Sequence, residues 1–267
     1  MLIRHDLKIV FLHVPKCAGK QLRSILKETA PAGSLRELWN YSHSRILRRY
    51  VDLAHLPLHD LQTFPEFSYL DHYRVIACCR NPYARLPSAV NEFYRQRSKE
   101  EEEMANENRL TPQMKDFYYN QMELRHSQLD PRFIHSLPIH VFTHLGEEPK
   151  VDFLLRCETM KSDFLALAAK LNWPSMLQEQ AADRLQDSPE EDADSIITTR
   201  ERELANYLYR TDFGTFGYPL INTGGHHYSQ HISAAASLPC LHQADTVLWH
   251  WGPSAAREAI HALKPHR

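Results

Sequence analysis

The chain has 267 residues, of which 43% are hydrophobic and 24% charged, and its formal net charge is −2. This length and apolar content suffice for one large folded domain with a sizeable core. The near-neutral charge excludes a generally basic nucleic-acid-binding protein, so any positive field must be local. The sequence contains no run of 18 apolar residues, which excludes a predicted transmembrane helix.

The N-terminus and the cysteines indicate the compartment. Residues 1–7 are too few and too charged to form a signal peptide. The five cysteines are an odd number without C-x-x-C spacing, so they indicate neither a disulfide framework nor a zinc site. We therefore expect a cytoplasmic protein that binds no metal.

The first predicted element is a buried strand in residues 8–14. Its apolar run shows no polar alternation, which is typical of a parallel strand covered on both faces. The strand ends at Pro15, Gly19 allows a tight loop, and apolar residues at helical spacing follow. A loop at a helix N-terminus is a ready anion site, to which Lys16 and Lys20 add positive charge.

This loop differs from a nucleotide-binding P-loop, G-x-x-x-x-G-K-[ST]. The first glycine position is occupied by Val14, and the hydroxyl position that would bind magnesium is occupied by Gln21. The loop can therefore hold phosphate-like groups, but it lacks the usual magnesium ligand. This argues against an ATPase or a kinase and favours an anionic, metal-independent ligand.

A second strand is predicted at residues 74–79, again from a nearly continuous apolar run. Asn81-Pro82 then marks a helix start, with asparagine as the N-cap and proline at the first helical position. Arg80 thus follows the carboxyl end of a strand, where open α/β sheets bind ligands. Ser88 could reach the same anion if the helix bends at Pro87.

Residues 13–19 resemble the 5′-phosphosulfate loop, H-[IV]-P-K-[TC]-[GA]-G-T-S, and residues 80–88 resemble the 3′-phosphate motif, R-[ND]-P-x-x-R-x-x-S. Both motifs belong to the carbohydrate-type sulfotransferases, the family 2 branch that includes heparan 2-O-sulfotransferase and bacterial relatives. Residues 153–164 resemble the later segment R-x-E-x-x-x-x-D-F of this family, and residues 207–218 resemble its closing Y-x-x-D-x-x-x-F-G-Y.

The resemblance implies a single α/β, P-loop-like domain at residues 1–219, with a mainly parallel central sheet flanked by helices. It also implies a bacterial enzyme that uses 3′-phosphoadenosine 5′-phosphosulfate (PAPS) as sulfuryl donor, without a metal. The acceptor is expected to be a hydroxyl of a saccharide or glycolipid. Lys16 is the expected catalytic residue at the leaving oxygen. The expected cofactor-binding residues are Pro15, Lys16, Cys17, Ala18, Gly19, Lys20, Gln21, Arg80 and Ser88.

Two positions depart from the family pattern, because Lys20 and Gln21 stand where the family has Thr-Ser. Those hydroxyls normally bind the 5′-phosphate. The contact must therefore be made by Lys20 or by backbone N–H groups. This departure keeps open a non-catalytic PAPS-binding protein as an alternative, beside a P-loop phosphotransferase that would require a divalent ion.

The acceptor hydroxyl needs a general base, and histidine is the usual choice near neutral pH. Relatives with this layout often place a catalytic histidine some twenty residues before the second motif. His55 is the preferred candidate there, with His59 and His43 as alternates.

Later segments are predicted from pattern alone. Residues 139–144 alternate between apolar and polar and favour a strand, whereas residues 160–171 repeat apolar positions at helical spacing. A last helix is expected at residues 198–210. Residues 220–267 then form a histidine-rich extension of unknown role, with seven of the seventeen histidines. The extension is a candidate contact for a homo-oligomer, and we expect no metal site in it.

Overall fold

The computed structural model describes residues 1–122, 129–188 and 197–221. Its centre is a five-stranded sheet in the order β3-β1-β2-β6-β9, accompanied by two small two-stranded sheets, β4-β5 and β7-β8. The strands are β1 Leu2–Arg4, β2 Ile9–Leu12, β3 Leu35–Glu37, β4 Tyr41–Ser44, β5 Arg49–Asp52, β6 Arg74–Cys79, β7 His144–Leu145, β8 Glu148–Pro149 and β9 Phe153–Arg156.

Helices pack around the sheet, with α1 against α8 and α3 against both α4 and α9. The helices are α1 Gly19–Glu28, α2 Leu58–Leu61, α3 Pro82–Arg95, α4 Lys99–Asn106, α5 Pro112–Asn120, α6 His140–Thr143, α7 Met160–Lys170, α8 Ser175–Arg184, α9 Thr199–Leu208 and α10 Arg210–Phe216. Short 3-10 helices span Leu53–His55, Pro65–Asp71, Pro131–Ser136 and Cys157–Thr159.

The central sheet is mixed, so the prediction of a mainly parallel sheet is wrong. β2, β6 and β9 are parallel to one another, whereas β1 pairs antiparallel with both β2 and β3. The reason is the short connection after β1, because four residues can join only antiparallel strands and a parallel pair needs a long crossover. Lys8 in this turn has a left-handed backbone, with φ 51°.

The two predicted core strands are confirmed as β2 and β6. Val10 pairs with Val75 and Phe11 with Ile76, and these four side chains are buried. Their continuous apolar character follows from helices covering both faces of the sheet. The predicted helix start is also confirmed, since the Asn81 side chain accepts a hydrogen bond from the Tyr83 backbone N–H at 3.0 Å.

The later predictions have mixed outcomes. The helix expected at 160–171 is confirmed as α7, and the one expected at 198–210 is present as α9, which begins in a capping box between Thr198 and Glu201. Residues 139–144 do not form the expected strand, because most of them lie in α6. The Asp212 carboxylate accepts the backbone N–H groups of Ile139 and His140, at 2.6 and 3.0 Å, and so caps a helix.

The predicted extension lies almost wholly outside the described residues, so the boundary at residue 219 stays a prediction. Among the helices of the described part, none combines the length and apolar character needed to cross a lipid bilayer. The expected cytoplasmic location likewise stays a prediction.

Candidate functional site

The parallel pairing of β2 with β6 brings the two sequence motifs to one edge of the sheet. Both strands end at this edge, where Leu12 is paired with Ala77. After β2 the chain forms the loop that precedes α1, and after β6 it continues through Arg80 into α3. Arg85, buried in α3, ties the two segments together, because its Nε donates to the Pro15 carbonyl oxygen at 3.0 Å.

The loop between β2 and α1 has an unusual backbone. Lys16 and Ala18 both have left-handed conformations, with φ 64° and 53°. Gly19 follows at the start of α1, where a Cβ would lie 2.2 Å from Cδ2 of His13. No side chain fits there without displacing the His13 ring. The first turn of α1 contains no acidic residue, so the positive end of its dipole faces the loop without internal compensation.

The catalytic candidate Lys16 is held by a carboxylate from α3. Lys16 Nζ donates to Glu92 Oε2 at 2.7 Å, and both side chains are little exposed. Glu92 also accepts from Gln96 Nε2 at 3.1 Å and lies 3.5 Å from Arg95 and 3.9 Å from Lys20. Burial alone would raise the pKa of Glu92, but the charge and hydrogen bond of Lys16 hold it below its usual range. Burial lowers the pKa of Lys16, against the opposing effect of Glu92.

The remaining cofactor candidates lie on the same loop, on the first turn of α1, on α3 and directly after β6. Ser88 and Glu92 are one helical turn apart, so Ser88 shares the face of α3 that meets the loop. Arg80 is half-buried and close enough to interact electrostatically with the buried thiol of Cys17. Lys20 and Gln21, by contrast, are exposed on the first turn of α1.

The preferred base, His55, lies beside the loop. It ends the 3-10 helix Leu53–His55, whose N-cap Asp52 accepts the Ala54 backbone N–H at 2.9 Å. His55 Nδ1 is 2.7 Å from the His13 carbonyl oxygen, so the neutral ring carries its proton on Nδ1 and its lone pair on Nε2. Burial lowers the pKa of His55, although Asp52 opposes part of the shift. The ring is therefore neutral at neutral pH.

The two alternate histidines lie in different surroundings. His43 is exposed on β4, with its ring edge-on to Tyr50. His59 is half-buried on α2, with Nδ1 3.9 Å from Asp60 Oδ1. His55, in contrast, has its ring centroid 4.4 Å from that of His13 in the loop, and the Lys16 charge contributes to lowering its pKa. The geometry therefore favours His55 among the three candidates.

His135 is not among the predicted catalytic or cofactor-binding residues, and the structure places it against His55. The two rings are edge to face with centroids 5.4 Å apart, and His135 Nδ1 is 2.8 Å from the Arg132 carbonyl oxygen. One ligand atom each of Asp52, His55 and His135 lies within 4.8 Å of the other two. Two metal–nitrogen bonds of about 2.1 Å span at most about 4.2 Å, whereas two hydrogen bonds of about 2.8 Å span about 5.6 Å. Separations within this bound fit a shared hydroxyl or water oxygen, and the shorter part of the range also fits a metal ion.

Glu92 was also missed, although one signal for it existed. It follows Ser88 by four residues in a predicted helix, and therefore shares the face assigned to cofactor binding. No comparable signal exists for His135, because its neighbours come from segments distant in sequence.

Two later segments, residues 153–164 and 207–218, support the site through hydrogen bonds. Glu158 accepts the Asn81 backbone N–H at 2.8 Å and the Tyr218 hydroxyl at 2.9 Å, so it fixes the chain just after Arg80. The Arg156 guanidinium donates to the Phe216 carbonyl oxygen at 2.5 Å. These residues support the loops and hold β9 to the end of α10.

An anion-binding loop between a strand and a helix, beside an arginine at the end of the next parallel strand, is typical of α/β proteins that bind phosphate or sulfate groups. The family model described as Sulfotransferase family matches residues 1–219. The chain therefore belongs to the sulfotransferase family, and the predicted membership of sulfotransferase family 2 is confirmed. No curated protein and no solved structure matches the chain.

Proposed function

We propose that this sulfotransferase moves the sulfuryl group of PAPS to a hydroxyl of a carbohydrate or glycolipid acceptor, by metal-independent in-line transfer. The observation that carries the proposal is the position of Lys16, in the loop at the N-terminus of α1 and beside the strand end that carries Arg80. This arrangement offers one cationic site for the 5′-phosphosulfate and a second for the 3′-phosphate.

The chemistry follows from where charge develops. A bond forms between the acceptor oxygen and sulfur, and the bond from sulfur to the bridging oxygen of the nucleotide breaks. Negative charge builds on that bridging oxygen, where the Lys16 ammonium stabilises it. Backbone N–H groups of residues 17–21 hold the 5′ side, and Arg80 with Ser88 holds the 3′-phosphate. His55 Nε2 receives the proton of the acceptor hydroxyl.

The first test is binding of the desulfated product, 3′-phosphoadenosine 5′-phosphate (PAP). Calorimetry in a chelator should show that the protein binds PAP and prefers it to adenosine 5′-phosphate, because Arg80 pairs with the 3′-phosphate. Arg80→Ala should remove this preference while leaving the protein folded. A preference for ATP, or a requirement for magnesium, would overturn the assignment in favour of a phosphotransferase.

The second test separates an enzyme from a non-catalytic PAPS-binding protein. The protein is incubated with labelled PAPS and extracts of cell-surface glycans and lipids, and labelled products are separated. We expect labelled saccharide or glycolipid that is absent with Lys16→Ala. Binding of PAP without transfer to any acceptor would favour the non-catalytic alternative.

A further inference from the structure

In the free protein, Glu92 pairs with the Lys16 ammonium on which the proposed reaction depends. In the free protein its Oε2 accepts the Lys16 ammonium at 2.7 Å, and the side-chain exposures of the two residues are 13% and 11%. The pair is thus largely removed from water. When an ammonium leaves such a pair, the carboxylate left behind is strongly destabilised unless another cation replaces it.

Binding of PAPS would destabilise the Glu92 carboxylate further. Lys16 must turn toward the bridging oxygen of the donor, and the anionic phosphosulfate then lies close to Glu92. Without Lys16, Glu92 loses its hydrogen-bonded ammonium and keeps Arg95 at 3.5 Å and the neutral Gln96 amide. Its negative charge then repels the incoming nucleotide. The proposed reaction therefore needs a further cation, besides Arg95, that can pair with Glu92 as Lys16 leaves it.

Lys20 meets this need. Its Nζ lies 3.9 Å from Oε1 of Glu92, on the carboxylate oxygen opposite the one that Lys16 binds. Its side chain is 76% exposed, so the ammonium can move the last ångström without unpacking the core. Arg95 at 3.5 Å already lies on the Oε2 side and comes from the same helix as Glu92. Lys20 comes from the first turn of α1, directly after the loop that carries Lys16.

We propose a counter-ion exchange at Glu92. The Lys16–Glu92 ion pair breaks as Lys16 turns to the sulfuryl donor, and Lys20 then pairs with the Glu92 carboxylate. The Lys20 side chain then acts on the nucleotide through Glu92 and does not contact it. This inference rests on the proposed function. It gives a physical reason for the lysine that stands where the related loops carry threonine, because here an acidic residue of α3 must be neutralised.

The test is a double-mutant cycle with PAP as the probe, in chelator, by calorimetry. Glu92→Gln removes the negative charge that competes with PAP for Lys16. It keeps the side-chain shape and an oxygen that can accept the hydrogen bond of Gln96. PAP should therefore bind about 10-fold more tightly, the scale of one ion pair. Lys20→Thr should weaken PAP binding about 10-fold in the wild-type chain and change it less than 2-fold in the Glu92→Gln chain.

Lys27→Thr is the matched control, since Lys27 is an exposed lysine of the same helix that pairs with Glu37 instead. It should leave PAP affinity unchanged. Thermal melts of all variants establish that they are folded.

Two results would overturn the exchange while leaving the proposed function intact. If Lys20→Thr weakens PAP binding equally in both backgrounds, Lys20 contacts the nucleotide directly. If Glu92→Gln weakens binding, Glu92 orients Lys16 for the donor and does not compete with it. Failure of the wild-type protein to bind PAP overturns the proposed function itself, and the exchange with it.

Discussion

At the scale of single residues, His55 combines the properties that a general base requires. Its Nδ1 proton is fixed on the His13 carbonyl oxygen, which leaves the Nε2 lone pair available. Burial lowers its pKa below the ordinary value of 6.5, the amino terminus and Lys16 lower it further, and Asp52 opposes them. The balance keeps the imidazole neutral, and the Asp52 carboxylate lies near the imidazolium that the proposed reaction would form.

The rate of sulfuryl transfer should therefore depend on pH through His55. A base acts only when unprotonated, so the rate should fall as the pH drops through the folded-state pKa, which lies below 6.5. His55→Ala should remove this acidic limb and lower kcat by about 10²-fold or more, with PAP affinity retained. Initial rates from pH 4.5 to 9 measure both effects.

His59→Ala is the control, because that residue lies on α2 beside Asp60 and should leave the profile unchanged. If His59→Ala loses the limb while His55→Ala keeps it, the base is misassigned. If neither variant changes the profile, histidine catalysis from this segment is wrong.

At the scale of elements, the start of α1 depends on a close approach that only glycine allows. A Cβ on Gly19 would lie 2.2 Å from the His13 ring, which itself contacts His55. Gly19→Ala should therefore destabilise the fold by about 1–3 kcal/mol, the usual cost of overpacking a filled site. The free energy of unfolding in urea measures this, and PAP affinity should fall with it.

Gly214→Ala provides the matched comparison. Gly214 lies inside α10, where an added Cβ meets no atom within 4 Å. Alanine is the better helix former, so this change should stabilise the protein by up to about 1 kcal/mol. Equal effects of the two substitutions would show that the His13 contact does not constrain the start of α1.

Elements with local signals could be predicted from the sequence, and elements set by distant partners could not. β2, β6 and the start of α3 are defined by apolar runs and by Asn81-Pro82, all contiguous in the chain. The residues of α6 alternate like a strand, but the Asp212 carboxylate, more than seventy residues away, caps them as a helix. β1 was missed because it is only three residues long and contains Arg4, whose buried guanidinium is satisfied by Leu26 and Thr29.

At the scale of the whole molecule, the candidate site is assembled from four separate parts of the fold. The loop after β2 supplies Lys16, the segment after β6 supplies Arg80, α3 supplies Ser88 and Glu92, and the segment after β5 supplies His55. The contiguous motifs revealed the first two parts and Ser88. The pairing of Lys16 with Glu92 joins residues 76 positions apart and becomes visible only when α3 is packed against the loop.

The same view of the molecule leads to a prediction about its C-terminus. The last described residue, Ile221, is bound to the core, because its N–H donates to the Tyr83 hydroxyl at 2.8 Å and its carbonyl oxygen accepts from Asn206 Nδ2 at 2.9 Å. The site residues found in the described part of the chain all precede this anchor. A chain ending after Ile221 should therefore fold and bind PAP with wild-type affinity.

Calorimetry and light scattering on the shortened and full-length proteins check this prediction. If residues 222–267 mediate a homo-oligomer, for which the extension is a candidate contact, the shortened protein should form a smaller assembly with unchanged PAP affinity. Loss of PAP binding in a shortened protein that still melts cooperatively would show that the extension contributes directly to the nucleotide site. The domain boundary near residue 219 would then be wrong, because the functional unit would include the histidine-rich segment.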